Sequence, residues 1–118
     1  NKTVKTLNTL LEKDGVLIIA VPNPESPDAN MYKEYWAAYD VPRHIYHYKK
    51  SVIKQIANRH DLKVIDILPM KFDSYYISML SEKYKGGNII KAFMNGFISN
   101  FKAGKYNTSS LIYIIERK

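Results

Sequence analysis

The 118-residue chain contains no cysteine, which excludes a disulfide framework and any zinc or iron–sulfur site built on thiolates. That absence fits a cytoplasmic protein. No apolar run approaches the roughly 18 residues that a membrane span needs, and no signal-peptide pattern opens the chain, so no membrane partner is expected. No G-x-G run precedes a helical pattern, and Gly86-Gly87 has no strand before it, so a glycine-rich nucleotide cradle is not encoded. Internal repeats and low-complexity tracts are missing too. Acidic residues are few, 11 against 18 Lys and Arg, leaving a net charge of +7. Such an excess attracts nucleic acid, acidic lipid or an anionic substrate. Yet the lysines are scattered, without a block of five or more like charges, as on solvated helix faces.

What remains is globular: 46% hydrophobic and 25% charged residues, enough for one domain with a single core. Val4, Leu7, Leu10 and Leu11 fall at helical spacing in "KTVKTLNTLLEK", and Gly15 fits the left-handed residue that ends such a helix. "VLIIAV", 16–21, is apolar at every position, as in a strand covered by helices on both faces of a sheet. A long segment from Pro22 to Tyr48 holds four of the five prolines, and connections of that length often carry function. "KSVIKQIANRHDL" predicts a second helix with Val52, Ile53, Ile56 and Ala57 inward. "KVIDILPM" predicts a strand interrupted by Asp66.

Asp73 is a plausible N-cap for a third helix, with Tyr76, Met79 and Leu80 on one side. Ile89, Ile90, Phe93, Met94, Phe97, Ile98 and Phe101 form a wide apolar stripe on a fourth helix, which needs a partner surface, either its own sheet or another subunit. "SSLIYIIERK" closes the chain as a third strand. Alternating elements of this kind predict an α/β layered fold with a helical insertion at 71–108. The chain opens without Met, inside a helical pattern, and is expected to be a fragment.

The run "LLEKDGVLIIAVPNPES", followed by "YWAAYDVPRHIYHYKKSVIKQIANRHDLKVIDI", resembles the C-terminal half of class I S-adenosylmethionine-dependent methyltransferases. In that family a helix leads through an "LkpGG" turn into a strand ending near "vPN". A loop carrying "PRHlyhfs" follows, then a helix, a strand and a final antiparallel strand. The resemblance covers the whole chain in order. Two departures stand out. Lys49 and Lys50 occupy the place where the family opens its helix with Ser or Thr and Pro, leaving Ser51 as a later cap. The family's glycine-rich turn and the acidic residue ending its second strand have no counterpart.

The resemblance therefore implies one partial domain, 1–118, of a Rossmann-like fold without its cofactor-binding half. It implies a small mixed three-stranded sheet with "SLIYIIE" in the middle, antiparallel to both neighbours, and "VLIIAV" at an open edge. An open apolar edge invites pairing, so a homo-oligomer is expected. The implied activity is methyl transfer from S-adenosylmethionine to a small-molecule acceptor, with the isolated chain inactive.

Ligands of open α/β sheets bind beyond the carboxyl ends of the parallel strands, where the loop after Pro22 begins. Trp36, Tyr39 and Tyr46 are candidate apolar walls for a substrate, with Arg43 as a polar contact. His44 is the candidate base, since imidazole titrates near neutrality, and Asp40 one helical turn earlier is its candidate orienting partner. Each of these residues also fits a loop that simply packs. Asn23 ends the strand, either against the cofactor or capping the turn. The pair His44-x-x-His47 near Asp40 and Glu34 falls short of the ligand set a structural zinc uses, so no metal is expected. Ten tyrosines among scattered lysines suit base stacking, but no recognised RNA-binding motif accompanies them. A basic α/β module binding RNA or a protein partner is the alternative.

Overall fold

The computed structural model describes residues 2–118. Helix α1 (Lys2–Leu10) leads to strand β1 (Val16–Pro22). Helix α2 (Pro27–Tyr32) and two 3₁₀ turns (Lys33–Tyr35 and Ala37–Tyr39) then carry the chain to α3 (Lys50–Asn58) and β2 (Leu62–Pro69). Helices α4 (Asp73–Lys85) and α5 (Ile89–Ala103) precede β3 (Ser110–Arg117). No helix among the described residues is long and apolar enough to cross a membrane.

The strands form one sheet in the order β1-β3-β2. β3 pairs antiparallel with β1, Ile18 facing Ile114, and antiparallel with β2, Ile67 facing Tyr113. The central place of the last strand is as expected. The sheet is not mixed, however, because every hydrogen-bonded pair is antiparallel. β1 and β2 share a direction but are held apart by β3. At Asp66 the β2 ladder slips by one residue against β3, and the Asp66 carboxylate accepts from the Ile67 N–H at 2.7 Å. The acid that breaks the apolar run in the sequence thus marks a bulge.

One face of the sheet is covered. Leu62, Leu111, Tyr113 and Ile115 join Ile53 and Ala57 of α3, with Val4 and Leu11 of the first segment packed beside them. Burial pushes the Tyr113 hydroxyl up to about 12, with Glu25 adding a smaller push in the same direction. The other face is bare: Val16 and Ile18 on β1 and Leu68 on β2 are exposed. The expectation of helices on both faces of β1 therefore fails among the described residues. Purely apolar strand composition reports that both faces avoid water, and it does not say which element covers each.

Helix ends were less legible than helix interiors. α1 stops at Leu10, and Gly15 does not take a left-handed φ. Gly86 does, at φ 76°, closing α4. Asp73 is not the cap of α4 but its first residue, and its carboxylate accepts from the Ser110 hydroxyl of β3. The cap missing from α3 comes from a distant residue instead of Ser51: Glu25 Oε2 accepts from the Lys50 N–H at 3.3 Å.

The insertion inverts the expected burial. α4 hides Ser74, Ile77, Ser78, Ser81 and Glu82, while Tyr76 and Met79 face outward. α5 hides Ala92, Gly96, Ser99 and Ala103, at spacings of four, three and four, and exposes its large side chains. Small residues let the two backbones approach: a Cβ on Gly96 would stand 3.0 Å from the Tyr75 Cα. Tyr76 and Met79, expected on one side of α4, lie on a side that faces out. Periodicity was read by hydrophobicity, whereas this contact is selected by side-chain volume.

Candidate functional site

A cavity of about 400 Å³ opens where β1 and β2 end and β3 begins. Ala20, Val21 and Pro22 of β1, Met70 after β2 and Ser110 of β3 form its floor. One wall is the turn from Ala37 to His44. The other is α4, through Asp73, Tyr76, Ile77, Leu80 and Tyr84. The segment after Pro22 therefore lies at the carboxyl rim of the sheet.

Local chemistry holds that wall. Ser26 caps α2, its hydroxyl accepting from the Ala29 N–H at 3.2 Å, and Pro27 follows as a preset first residue. Asp28, fully buried, accepts from Trp36 Nε1 at 2.8 Å, Ser109 Oγ at 2.6 Å and Ser99 Oγ at 2.9 Å. One carboxylate thus joins α2, the loop, the segment entering β3 and α5. The Ala37 N–H donates to Ser81 Oγ at 2.9 Å, fixing the loop to α4. Sequence reading missed Asp28; its signal was the Ser-Pro-Asp start of a helix, here combined with burial.

The candidate residues divide into three groups. Asp40, Arg43 and His44 meet at the cavity. Arg43 Nη2 lies 2.6 Å and Nε 3.0 Å from Asp40 Oδ1. The hydrogen bond and charge of Asp40 raise the Arg43 guanidinium above its usual range, so it stays cationic. His44 Nδ1 stands 4.0 Å from Asp40 Oδ2, beyond hydrogen-bond length. Backbone geometry sets this trio. Asp40 takes a left-handed conformation (φ 45°, ψ 43°), and its carbonyl accepts from the His44 N–H at 3.1 Å.

Trp36 and Tyr39 belong together one layer away. Trp36 is buried in a core with Tyr32, Ala38 and Ile77, edge-on to Tyr39 at 5.1 Å. Both line an adjoining depression bounded by Glu34 and Tyr84, not the main cavity. His47 is spent on the loop, its Nε2 hydrogen-bonded to the Tyr39 carbonyl at 2.9 Å.

Tyr46 and Asn23 lie apart from the cavity. Tyr46 is exposed and stacks on Tyr48 at 6.1 Å. Asn23 is buried, donating to Asn107 Oδ1 at 2.9 Å and to the Thr108 carbonyl at 3.0 Å, while its Oδ1 accepts from the Glu25 N–H. Its amide is fully used within the chain, so it ties the end of β1 to the segment entering β3. The aromatic walls of the main cavity are instead Tyr76 and Tyr84 of α4.

Among the described residues no three His, Asp or Glu side chains converge as a metal ion needs. No protein-family model, no curated protein and no solved structure matches the chain.

Proposed function

We propose that this chain is the acceptor-side part of an S-adenosylmethionine-dependent methyltransferase, binding a small molecule with an apolar body and a hydroxyl or amine. The observation that carries this reading is topological. The last strand enters between two earlier strands, antiparallel to both, and the long loop after β1 lies over the carboxyl rim. The family resemblance calls for that arrangement, which plain β-α-β alternation does not produce.

The residues present do not form a cradle for the cofactor. The chain has no glycine-rich turn at a strand end, and Asn23 is committed to the fold. The reading assigns cofactor binding to residues outside these 118. β1 is bonded to β3 on one side only among the described residues. Its other edge is where the reading places a further strand, from the cofactor half or from a second copy.

The chain's own contribution is to hold the acceptor. Tyr76, Ile77 and Leu80 offer apolar contact, while the Asp40–Arg43 pair marks one polar end. His44 exposes its imidazole to the cavity wall, where it suits accepting a proton from a hydroxyl or amine during reaction. Asp40, already paired with Arg43, stands 4.0 Å from the His44 ring on the same wall, so it orients the imidazole only if the two draw together.

The test uses the polypeptide extended to include the residues encoded before Asn1. It should bind S-adenosylhomocysteine in calorimetry, and His44→Ala should lower turnover about a hundredfold with cofactor affinity intact. Absence of cofactor binding to the extended polypeptide overturns the reading. Unchanged turnover in the variant relegates His44 to scaffolding.

A further inference from the structure

Helix α5 carries its hydrophobicity on the wrong side for a water-soluble helix. Ile90, Met94, Phe97 and Phe101 recur at spacings of four, three and four, and stand 72%, 58%, 60% and 81% exposed. The opposite stripe of Ala92, Gly96, Ser99 and Ala103 is the one packed inside. Small residues toward the neighbouring helix and large apolar ones outward is the arrangement helices adopt when their surroundings are apolar.

Charge identifies the surroundings. Lys91 and Lys102 directly follow Ile90 and Phe101, placing both on the same flank of the apolar stripe. Lys83, Lys85 and Lys105 are exposed around the same pair of helices, and none of these five makes an ion pair among the described residues. The two acids of the insertion turn inward. Glu82 is buried, with Oε1 accepting from Asn95 Nδ2 at 3.0 Å, and Asp73 faces Ser110. Apart from exposed Asp66 of β2, whose charge reaches Lys105, the outer surface of the insertion is apolar and cationic.

We infer that α5 docks on an anionic lipid surface, lying in the plane of the interface with Met94, Phe97 and Phe101 inserted and its lysines at headgroup level. An apolar stripe edged by lysines is what such a surface selects, since the aliphatic stems reach outward to the phosphates. At 15 residues the helix is about 22 Å long, shorter than the roughly 30 Å hydrocarbon core, so it lies on the bilayer and does not span it. A second copy of the chain is the poorer occupant. Antiparallel twofold pairing through this stripe sets Lys91 of one copy beside Lys102 of the other, twice over, with no insertion carboxylate facing out to offset them. The inference stands whether or not the methyltransferase reading holds.

Co-flotation of the chain with phosphatidylcholine vesicles, with and without phosphatidylglycerol, tests it. The chain should float with the anionic vesicles and remain behind with the neutral ones. Phe97→Ser with Phe101→Ser should abolish flotation while leaving the circular dichroism spectrum unchanged, because both side chains are outside the core. Lys91→Gln and Lys102→Gln should each weaken partitioning about fivefold. Flotation that survives the phenylalanine changes overturns the proposal. So does a chain that ignores both vesicles and self-associates through a contact that the phenylalanine changes remove; the stripe is then a dimer interface.

Discussion

The sheet half and the insertion of this protein bury opposite kinds of residue. Under α1 and α3, the core is made of Leu62, Leu111, Tyr113 and Ile115, with little polar content. Between α4, α5 and α2, the interior is Ser74, Ser78, Ser81, Ala92, Gly96 and Ser99 around the carboxylates of Asp28 and Glu82. The first region is held by removing apolar area from water. The second is held by close backbone approach and by hydrogen bonds centred on Asp28, while Ser78 Oγ and Glu82 Oε2 are buried without a partner and buried polar groups are costly when unpaired. The two regions should therefore fail differently.

The largest effect is expected where both kinds of interior meet. Asp28→Ala strands the donors of Trp36, Ser99 and Ser109, and should cost about 3–5 kcal/mol in urea unfolding. Leu111→Ala, at a fully buried position of the central strand, should cost about 3 kcal/mol by transfer and cavity formation. If Asp28→Ala proved the milder change, the polar interior would be less tightly coupled than its geometry implies.

Gly96→Val probes the insertion alone. A Cβ there would stand 2.8 Å from the Tyr75 Cδ1 and 3.0 Å from the Tyr75 Cα, well inside ordinary contact, so α4 and α5 must separate, at about 2 kcal/mol. The same volume added at exposed Ile90 should be silent. A neutral result at Gly96 would mean that the helix pair is not tightly seated.

Alkaline titration reads the buried tyrosines, which burial raises in both halves, Tyr113 in the sheet core and Tyr32 in the core beside α4. The Tyr113 hydroxyl is raised to about 12 in the folded chain from about 10 when unfolded. Between those values the unfolded chain loses the proton first, so stability is fully present below pH 10 and declines as pH rises toward 12. Tyr113→Phe should flatten that decline in denaturant midpoints measured across the window. The smallest effect is expected from Phe97→Ser, which should alter unfolding stability by no more than about 0.5 kcal/mol, in contrast to Leu111→Ala.

The elements were legible where hydrophobic pattern and burial agree. β1, α3, β2 and β3 all lie where their apolar runs predict, and Ile53 and Ala57 point inward as their spacing requires. The order of strands came from the family resemblance, because alternation alone leaves the position of the last strand open. Legibility failed in the insertion, where Tyr76 and Met79 look like core by hydrophobicity and are surface. At the site, Asp40, Arg43 and His44 were found together because they lie within one turn of chain. Tyr76 and Tyr84 were not, because they reach the cavity from α4, remote in sequence.

Composition and local pattern by themselves determined that this chain is an α/β layer with a long proline-bearing loop, no thiol chemistry and a basic surface. Those properties depend on residue type and near neighbours. Tertiary structure alone decided that Asp28 is a buried junction, that Glu25 caps α3, that Trp36 is core and Tyr76 is cavity wall, and that the apolar stripe of α5 faces out. Each depends on which distant side chain supplies a hydrogen bond or fills a volume, and helical or strand periodicity carries no information about that partner.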